Sequence, residues 1–135
     1  MKIATTVFLA VLIAVSLACG GYSSSSTTPA PATAGTMPTI ATLSPASTTH
    51  GDAAFVLTVA GTNFSGTAVI NFAGKAQTTN QVSATQLTAT IAAADIETAG
   101  TVAITVTNPA IAGTGAYGGG GTLSETSSPM SFMIN

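Results

Sequence analysis

The sequence contains very few charged residues. Its 135 residues include two Lys or Arg and four Asp or Glu, and the formal net charge is −2 at pH 7. A surface that binds nucleic acid needs several cationic side chains to neutralise phosphates, and electrostatic attraction to anionic lipid needs them too. The scarcity of cations therefore argues against nucleic acid as a partner and against electrostatic binding to an anionic membrane surface.

Residue types that build disulfides and catalytic centres are also scarce. The chain has one cysteine, Cys19, one histidine, His50, and no tryptophan. One cysteine forms no internal disulfide, and one histidine leaves no partners for a catalytic triad or a metal centre. Asp95 and Glu97 flank a predicted turn without a third partner, so we interpret them as solvated charges or a weak cation contact. We expect no enzymatic activity, no cofactor and no metal.

The first eighteen residues have the pattern of an export signal. Lys2 supplies the positive start, residues 3–17 form an apolar run, and Ala18 precedes Cys19. The run is short for a membrane span and is followed by small and polar residues, as in a secretory signal. We predict a signal peptide at residues 1–18. Its removal takes away Lys2 and changes the formal net charge from −2 to −3.

Cys19, at the first position after the predicted cleavage, resembles the lipobox cysteine of bacterial lipoproteins. That resemblance implies acylation of Cys19, export, and attachment to the bacterial cell envelope at the outer membrane or cell surface. The family favours Leu three residues before the cysteine, whereas this chain has Ser16 there and Leu17 one place later. Two alternatives stay open: a soluble secreted form with a free thiol, and an uncleaved membrane anchor.

The chain changes character again at Pro38. Residues 19–37 are rich in Ser, Thr, Pro and Gly and predict a flexible linker. From Pro38 onward apolar residues alternate with threonine, a period of two that indicates strands with one buried face. The predicted strands lie at residues 39–43, 55–60, 68–72, 75–79, 86–91, 101–107 and 130–135, with one helical turn at 92–97. About seven short strands in roughly 100 residues are typical of an antiparallel immunoglobulin-like β-sandwich, so residues 38–135 are predicted to form one all-β domain.

The stretch 55–72 organises this prediction. Gly61 is expected to adopt a positive φ where the first strand of the stretch ends. Lys75 is expected on an edge strand, where it would discourage edge-to-edge pairing. The positions predicted to share buried faces are Phe55, Leu57, Val59, Phe64, Ala68, Ile70, Phe72, Leu87, Ala89, Ile91, Ile96, Val102, Ile104, Val106, Phe132 and Ile134.

Several short motifs resemble the IPT/TIG domain family. They are Ile40-x-x-Leu43-Ser44-Pro45, Leu57-Thr58-Val59-x-Gly61-x-Asn63-Phe64, Val69-x-Asn71-Phe72-Ala73-Gly74 and Gly100-x-Val102-x-Ile104-x-Val106-x-Asn108-Pro109. In this order and spacing the resemblance covers residues 38–135. It implies an immunoglobulin-like fold used in binding or as a spacer, without catalysis. The chain departs from the family pattern after Pro109, where residues 110–129 replace a brief hairpin.

This long segment is the candidate binding loop. Gly113, Gly115 and Gly118 match G-x-G-x-x-G, but more glycine follows and no helix former does, so we exclude a nucleotide site. A flexible insertion is one interpretation of the loop. The other is a ligand-contact loop centred on Tyr117 and Leu123, because loops on a rigid sandwich commonly carry binding.

The expected function is therefore non-enzymatic. A membrane-anchored protein, held by lipid on Cys19, would bind another envelope protein or a polysaccharide, or would serve structural display. The alternative is a carbohydrate-binding accessory module or an adhesin-like secreted protein. Such modules stack sugars on exposed aromatic rings, and the chain has two tyrosines, Tyr22 and Tyr117, and phenylalanines that are predicted to be buried.

Overall fold

The chain folds into two facing β-sheets. The structure is a computed structural model that describes Thr28, residues 30–114 and residues 119–135. The strands are β1 Thr39–Ser44, β2 Ser47–Thr48, β3 Phe55–Thr62, β4 Val69–Phe72, β5 Lys75–Ala76, β6 Thr79–Ser83, β7 Gln86–Ile91, β8 Gly100–Asn108, β9 Glu125–Thr126 and β10 Met130–Ile134, and a 3₁₀ helix covers Ala93–Ile96. The predicted all-β class is confirmed, and the prediction of about seven strands matches the strands longer than two residues. No helix in the described ranges is long and apolar enough to cross a membrane.

The order of the strands makes a sandwich rather than a series of hairpins. One sheet has the order β1-β3-β7-β6, and the other has the order β2-β10-β8-β4-β5, with β9 beside β8. Neighbouring strands run antiparallel except for β2 and β10, which are parallel. The chain crosses from the first sheet to the second between β3 and β4, through the corner at residues 63–68. The immunoglobulin-like β-sandwich predicted from the alternation is the observed fold.

The core lies between the sheets and is built from the predicted positions. Side chains of both sheets that are at most 5% exposed fill it. Three phenylalanine rings link the layers: the Phe132 ring stacks on that of Phe55, with centroids 5.8 Å apart, and meets that of Phe72 edge-on at 5.6 Å. Such aromatic pairs add to the stabilisation from burial alone. The buried apolar residues are Leu57, Val59, Phe64, Ala68, Ile70, Phe72, Leu87, Ala89, Ile91, Ile96, Ile104, Val106, Phe132 and Ile134.

The role predicted for Gly61 is wrong. The positive φ in this corner belongs to Asn63, at 63°. Gly61 is required for a different reason, because a Cβ there would collide with the Thr39 carbonyl oxygen and with the Phe64 ring. The close approach of β1 to the end of β3 explains the glycine, and the amide-bearing Asn63 tolerates the left-handed conformation.

The single edge strand predicted at 75–79 is also wrong. Lys75 does lie on an edge strand, β5, but the chain then leaves that sheet and enters β6 of the other one. Two hydrogen bonds hold the crossing: the Gln77 amide donates to the Ile70 carbonyl at 2.9 Å, and the Ile70 amide donates to Thr79 Oγ1 at 2.8 Å. The Thr79 hydroxyl thus takes the place of a backbone acceptor for Ile70, beyond the residues of β4 that pair with β5.

The two ends of the sandwich differ in what they present. We call the end formed by the corner at 63–65 and the last residues of β8 the upper end. The lower end consists of the turn at 49–52, the 3₁₀ helix and Lys75. The Gly51 amide donates to the Ile96 carbonyl at 3.0 Å, which ties the turn to the helix. Lys75, Asp95, Asp52 and Glu97 therefore gather at the lower end, and Glu125, on β9 opposite Asn108, lies at the upper end.

Truncation of the central ring tests this core. We expect Phe132→Ala to lower the free energy of unfolding by roughly 3–5 kcal/mol, because it leaves a cavity against two other rings. Met133→Ala is the matched control, since Met133 is 53% exposed on the outer face of the same strand, and its effect should stay within about 0.5 kcal/mol. Urea unfolding measures both values, and equal losses would contradict the arrangement of the sheets.

Candidate functional site at the upper end

An open cleft of about 380 Å³ lies at the upper end of the sandwich. Three parts of the chain form it: a segment before β1, the corner after β3, and the loop after β8. The lining residues are Ala34, Gly35, Thr36, Asn63, Phe64, Ser65, Asn108, Pro109, Ile111, Thr122 and Leu123. The volume is in the range of small-ligand sites, and the walls combine apolar side chains with backbone polar groups.

The side-chain amide of Asn108 joins the three walls. Its Nδ2 donates to the carbonyls of Thr36 and Asn63, both at 2.8 Å, and its Oδ1 accepts from the Ser65 amide at 3.0 Å. Asn108 is only 6% exposed, so these bonds satisfy an otherwise buried amide. The cleft therefore has walls that are fixed by one residue at the end of β8.

The segment before β1 lies on the sandwich. The Thr33 amide donates to the Gly121 carbonyl at 2.9 Å, and the Leu123 amide donates back to the Thr33 carbonyl at 2.9 Å. The Gly120 amide also donates to the Ala30 carbonyl at 3.0 Å. Residues 30–37, which the sequence assigned to a flexible linker, thus lie against the loop. The signal peptide, the remainder of the linker and the domain boundary at residue 38 stay predictions.

The described parts of the candidate binding loop are held in place. Ile111 and Thr122 exchange two backbone hydrogen bonds, of 3.0 and 2.9 Å. Gly121 is buried beside Ile111, where a Cβ would collide with the Ile111 carbonyl. Leu123 lines the cleft and is 54% exposed, which places one of the two predicted contact residues in the site. Tyr117 lies outside the described residues, and its role stays a prediction.

The described side chains that line the cleft are uncharged. None of its described lining side chains is ionisable, so they supply no general acid or base and no charged metal ligand at neutral pH. Within the described ranges no group of His, Cys, Asp and Glu is placed to hold a metal ion. The Ser65 hydroxyl is buried and has no hydrogen-bond partner among the described residues. These walls suit an uncharged ligand or an apolar segment of a partner.

The other sequence-predicted candidates are dispersed. Cys19 lies outside the described residues. His50 is exposed in a turn at the lower end, where its amide donates to the Asn135 carbonyl at 2.8 Å and its Nδ1 lies 2.8 Å from the same oxygen. Its contacts fasten the end of β10 and involve no group suited to catalysis.

The carboxylate of Asp95 forms an ion pair at the lower end. Lys75 Nζ lies 2.8 Å from Asp95 Oδ1, and Gln77 Nε2 donates to Asp95 Oδ2 at 3.3 Å. The hydrogen bond from Lys75, aided by its charge and by Gln77, holds the pKa of the Asp95 carboxyl below its usual value, against the opposing effect of burial. Asp95 thus makes the cation contact that was one of the interpretations drawn from the sequence.

A second depression, of about 420 Å³, lies on the outer face of the first sheet. Its floor is formed by β3, β6 and β7, and its lining residues are Val56, Thr78, Thr79, Asn80, Thr88, Ala89 and Thr90. It also has no ionisable lining side chain. The upper cleft is the better candidate because three separate chain segments converge on it and Asn108 fixes them.

Sequence reasoning missed the residues that build the cleft. Asn108 entered only as part of a family motif, and Ile111 and Thr36 were not singled out. The Asn-Pro pair at the end of the cleanest strand predicts at most local bonds from the amide side chain, whereas the partners of Asn108 are distant in sequence. Nothing in residues 30–37 distinguishes a docked segment from a linker.

Two facing, mainly antiparallel sheets with a neutral cleft at one end define an immunoglobulin-like binding or structural module. The family model of the IPT/TIG domain matches residues 38–124. The match covers more than half of the chain, and the protein belongs to the IPT/TIG family. Domains of this family are typically non-catalytic. Searches among curated proteins and among solved structures found no match.

The matched range ends before the sandwich does. β10 pairs with β8 over Met130–Ile134 and contributes Phe132 and Ile134 to the core. The folded unit of this chain therefore includes residues beyond the family match.

Removal of the Asn108 amide should loosen the whole upper end. We expect Asn108→Ala to cost roughly 2–4 kcal/mol in the free energy of unfolding, because the Ser65 amide and two carbonyls lose their partner in a buried site. Asn71→Ala is the control. Asn71 is half-buried on an outer face, where it donates to Thr105 and Thr107 at 3.3 and 3.0 Å, and its loss should cost about 1 kcal/mol or less. Chemical denaturation compares the two variants. A smaller loss of stability for Asn108→Ala than for Asn71→Ala would contradict the role of Asn108 in joining the three walls of the cleft.

The ion pair at the lower end predicts a weak acid dependence of stability. Because the native pKa of Asp95 is lowered, its contribution is present above the unfolded value and is lost as pH falls through the native value. The stability difference between the native chain and Asp95→Asn should therefore shrink between about pH 6 and pH 2. It should be small, about 0.2–1 kcal/mol, since Lys75 is 66% exposed.

Thermal unfolding at a series of pH values measures this difference. Glu97→Gln removes a neighbouring charge without touching the ion pair and serves as the control. A difference between the native chain and Asp95→Asn that grows on acidification would contradict the assignment.

Proposed function

We propose that this chain is a lipid-anchored protein of the bacterial cell envelope whose single IPT/TIG domain serves non-enzymatic binding or structural display. The observation that carries the proposal is the contact of residues 30–37 with the sandwich, which follows a sequence with a signal-like run and Cys19. Residues 30–37 are fastened to the upper end of the sandwich, and from Ala30 the chain leads back to Cys19. A cysteine at that position can hold the domain at a membrane while the rest of its surface stays available to a partner.

The anchor rests on the residues around the predicted cleavage site. An apolar run ends at Ala18, and Cys19 is the only cysteine in the sequence. Acyl chains on Cys19 would contribute roughly 0.8 kcal/mol for each buried CH₂, so two or more chains give stable attachment. The protein would then be exported and held at the outer membrane or cell surface. Because the chain carries little charge, its attachment would not depend on the charge of the lipid headgroups.

The partner that the outer sheet faces favour is an uncharged segment of another envelope protein. Their side chains are mainly threonine, alanine, asparagine and glutamine. Polysaccharide recognition commonly uses an exposed aromatic ring. Each phenylalanine in the described ranges is buried or half-buried, and the two tyrosines lie outside those ranges. We therefore place a protein ahead of a polysaccharide as the partner.

Replacement of Cys19 tests the anchor. We expect the native chain to carry acyl groups on Cys19 and to remain in the membrane fraction. Cys19→Ser removes the thiol, so acylation should be lost, and any chain processed after Ala18 should appear in the soluble fraction. Mass spectrometry of the N-terminal peptide and membrane fractionation measure the two effects.

Ser23→Ala, a substitution in the same segment, is the matched control and should fractionate like the native chain. A Cys19→Ser chain that is cleaved after Ala18 and still remains in the membrane fraction would rule out the lipid anchor. The alternative of a soluble secreted form predicts native Cys19 with a free thiol in the same mass measurement.

A further inference from the structure

We infer that the upper end of the sandwich faces and contacts the lipid surface to which the chain is anchored, through the exposed side chains of Met37, Ile111 and Leu123. This inference rests on the proposed lipid anchor. It adds an orientation and a lipid-contact surface to that function. We call these three residues the apolar rim.

The apolar rim is concentrated at one end of the molecule. Met37, Ile111 and Leu123 are 54%, 59% and 54% exposed. Ile111 and Leu123 line the same cleft, and Met37 follows its lining residue Thr36, with the Met37 carbonyl accepting from Asn63 Nδ2 at 3.3 Å. Of the other large exposed hydrophobic residues in the described ranges, Val56 and Met133 lie on sheet faces nearer the lower end. Val82 lies at the irregular end of β6, close to the corner at the upper end.

The charges are distributed the opposite way. Lys75, Asp95, Asp52 and Glu97 gather at the lower end, and Glu125 alone among the described charged residues lies at the upper end. Bringing the lower end to a membrane would desolvate several charges, which is costly. Bringing the upper end there would bury apolar side chains, which is favourable. Because the upper end carries one carboxylate and no described cation, the contact would not depend on anionic lipid.

The length of chain outside the sandwich limits the orientation further. Residues 19 to 30 span at most about 40 Å even when fully extended. They join the sandwich at the upper end, where Ala30 accepts a hydrogen bond from Gly120. The nine residues of β8 rise about 30 Å from the lower end to the upper end. Presenting the lower end to the membrane would therefore require most of that reach, whereas presenting the upper end would require little of it, because Ala30 is bonded at that end.

A short tether also makes a weak contact sufficient. Linkage raises the effective concentration of a binding surface at its target to about the millimolar range for short flexible tethers. Three partly exposed side chains would bind a bilayer weakly as a free domain. Held at the bilayer by acyl chains, the same rim would remain in contact much of the time.

The absence of tryptophan from the sequence allows a direct test with the full chain. Single tryptophans are introduced as Ile111→Trp and Leu123→Trp at the rim. The matched controls are Val56→Trp and Met133→Trp, whose native side chains are 57% and 53% exposed away from it. Each purified chain is reconstituted in zwitterionic phosphatidylcholine vesicles, with and without brominated acyl chains, and mass spectrometry of the same samples records whether Cys19 is acylated.

We expect emission from the two rim variants to shift to shorter wavelength and to lose intensity with brominated lipid, at any salt concentration. The two control variants should show neither effect. Rim fluorescence that stays water-like and unquenched would overturn the inference. A blue shift without quenching that grows with protein density would overturn it too, since a second copy would then cover the rim. If Cys19 is acylated and the rim tryptophans are not quenched, only the proposed orientation is wrong. If Cys19 carries a free thiol, the proposed lipid anchor is wrong.

Discussion

The upper end of this protein depends on one buried amide. Asn108 ends the longest strand and bonds the carbonyls of Thr36 and Asn63 and the amide of Ser65, so that it joins the N-terminal segment, the corner between the sheets and the end of β8. A buried amide with three partners specifies a single arrangement, because leaving any of them unpaired is costly. The shape of the cleft follows from that arrangement, and the backbone bonds of Thr33 and Ile111 hold the loop beside it.

The rest of the sandwich is unusual in how little charge it uses. Its outer faces are formed mainly by threonine, alanine, asparagine and glutamine, and the one described ion pair, Lys75 with Asp95, lies at the lower end. Burial of aliphatic side chains and three phenylalanine rings stabilises the fold, while hydroxyl and amide groups supply the surface. Such a surface suits contact with neutral groups, and it is consistent with a binding or display module of the IPT/TIG family.

Much of the fold could be predicted from the sequence, because a period of two in the apolar residues is a strong local signal. Leu57, Ile104 and Phe132 were all expected inside, and the two-sheet architecture followed from strand number and spacing. The features that the sequence did not predict depend on contacts between distant segments. Gly61 is needed because Thr39 passes close to it, and residues 30–37 lie against the loop because Gly121 and Leu123 bond to Thr33. Neither contact leaves a periodic trace. The cleft was found only in part, through Leu123, since its other walls come from segments far apart in sequence.

The central claim is that residues 30–37 are bonded to the sandwich and fix where the preceding chain leaves it. Amide hydrogen exchange in the full chain measures this most directly, because it reports the opening free energy of each hydrogen bond. We expect the Thr33 and Leu123 amides, which bond each other's segments at 2.9 Å, to exchange far more slowly than in an unstructured peptide. If both exchange at free-chain rates while the Val106 and Ser127 amides in the body of the sandwich stay protected, the segment is a free linker and the account of the upper end is wrong.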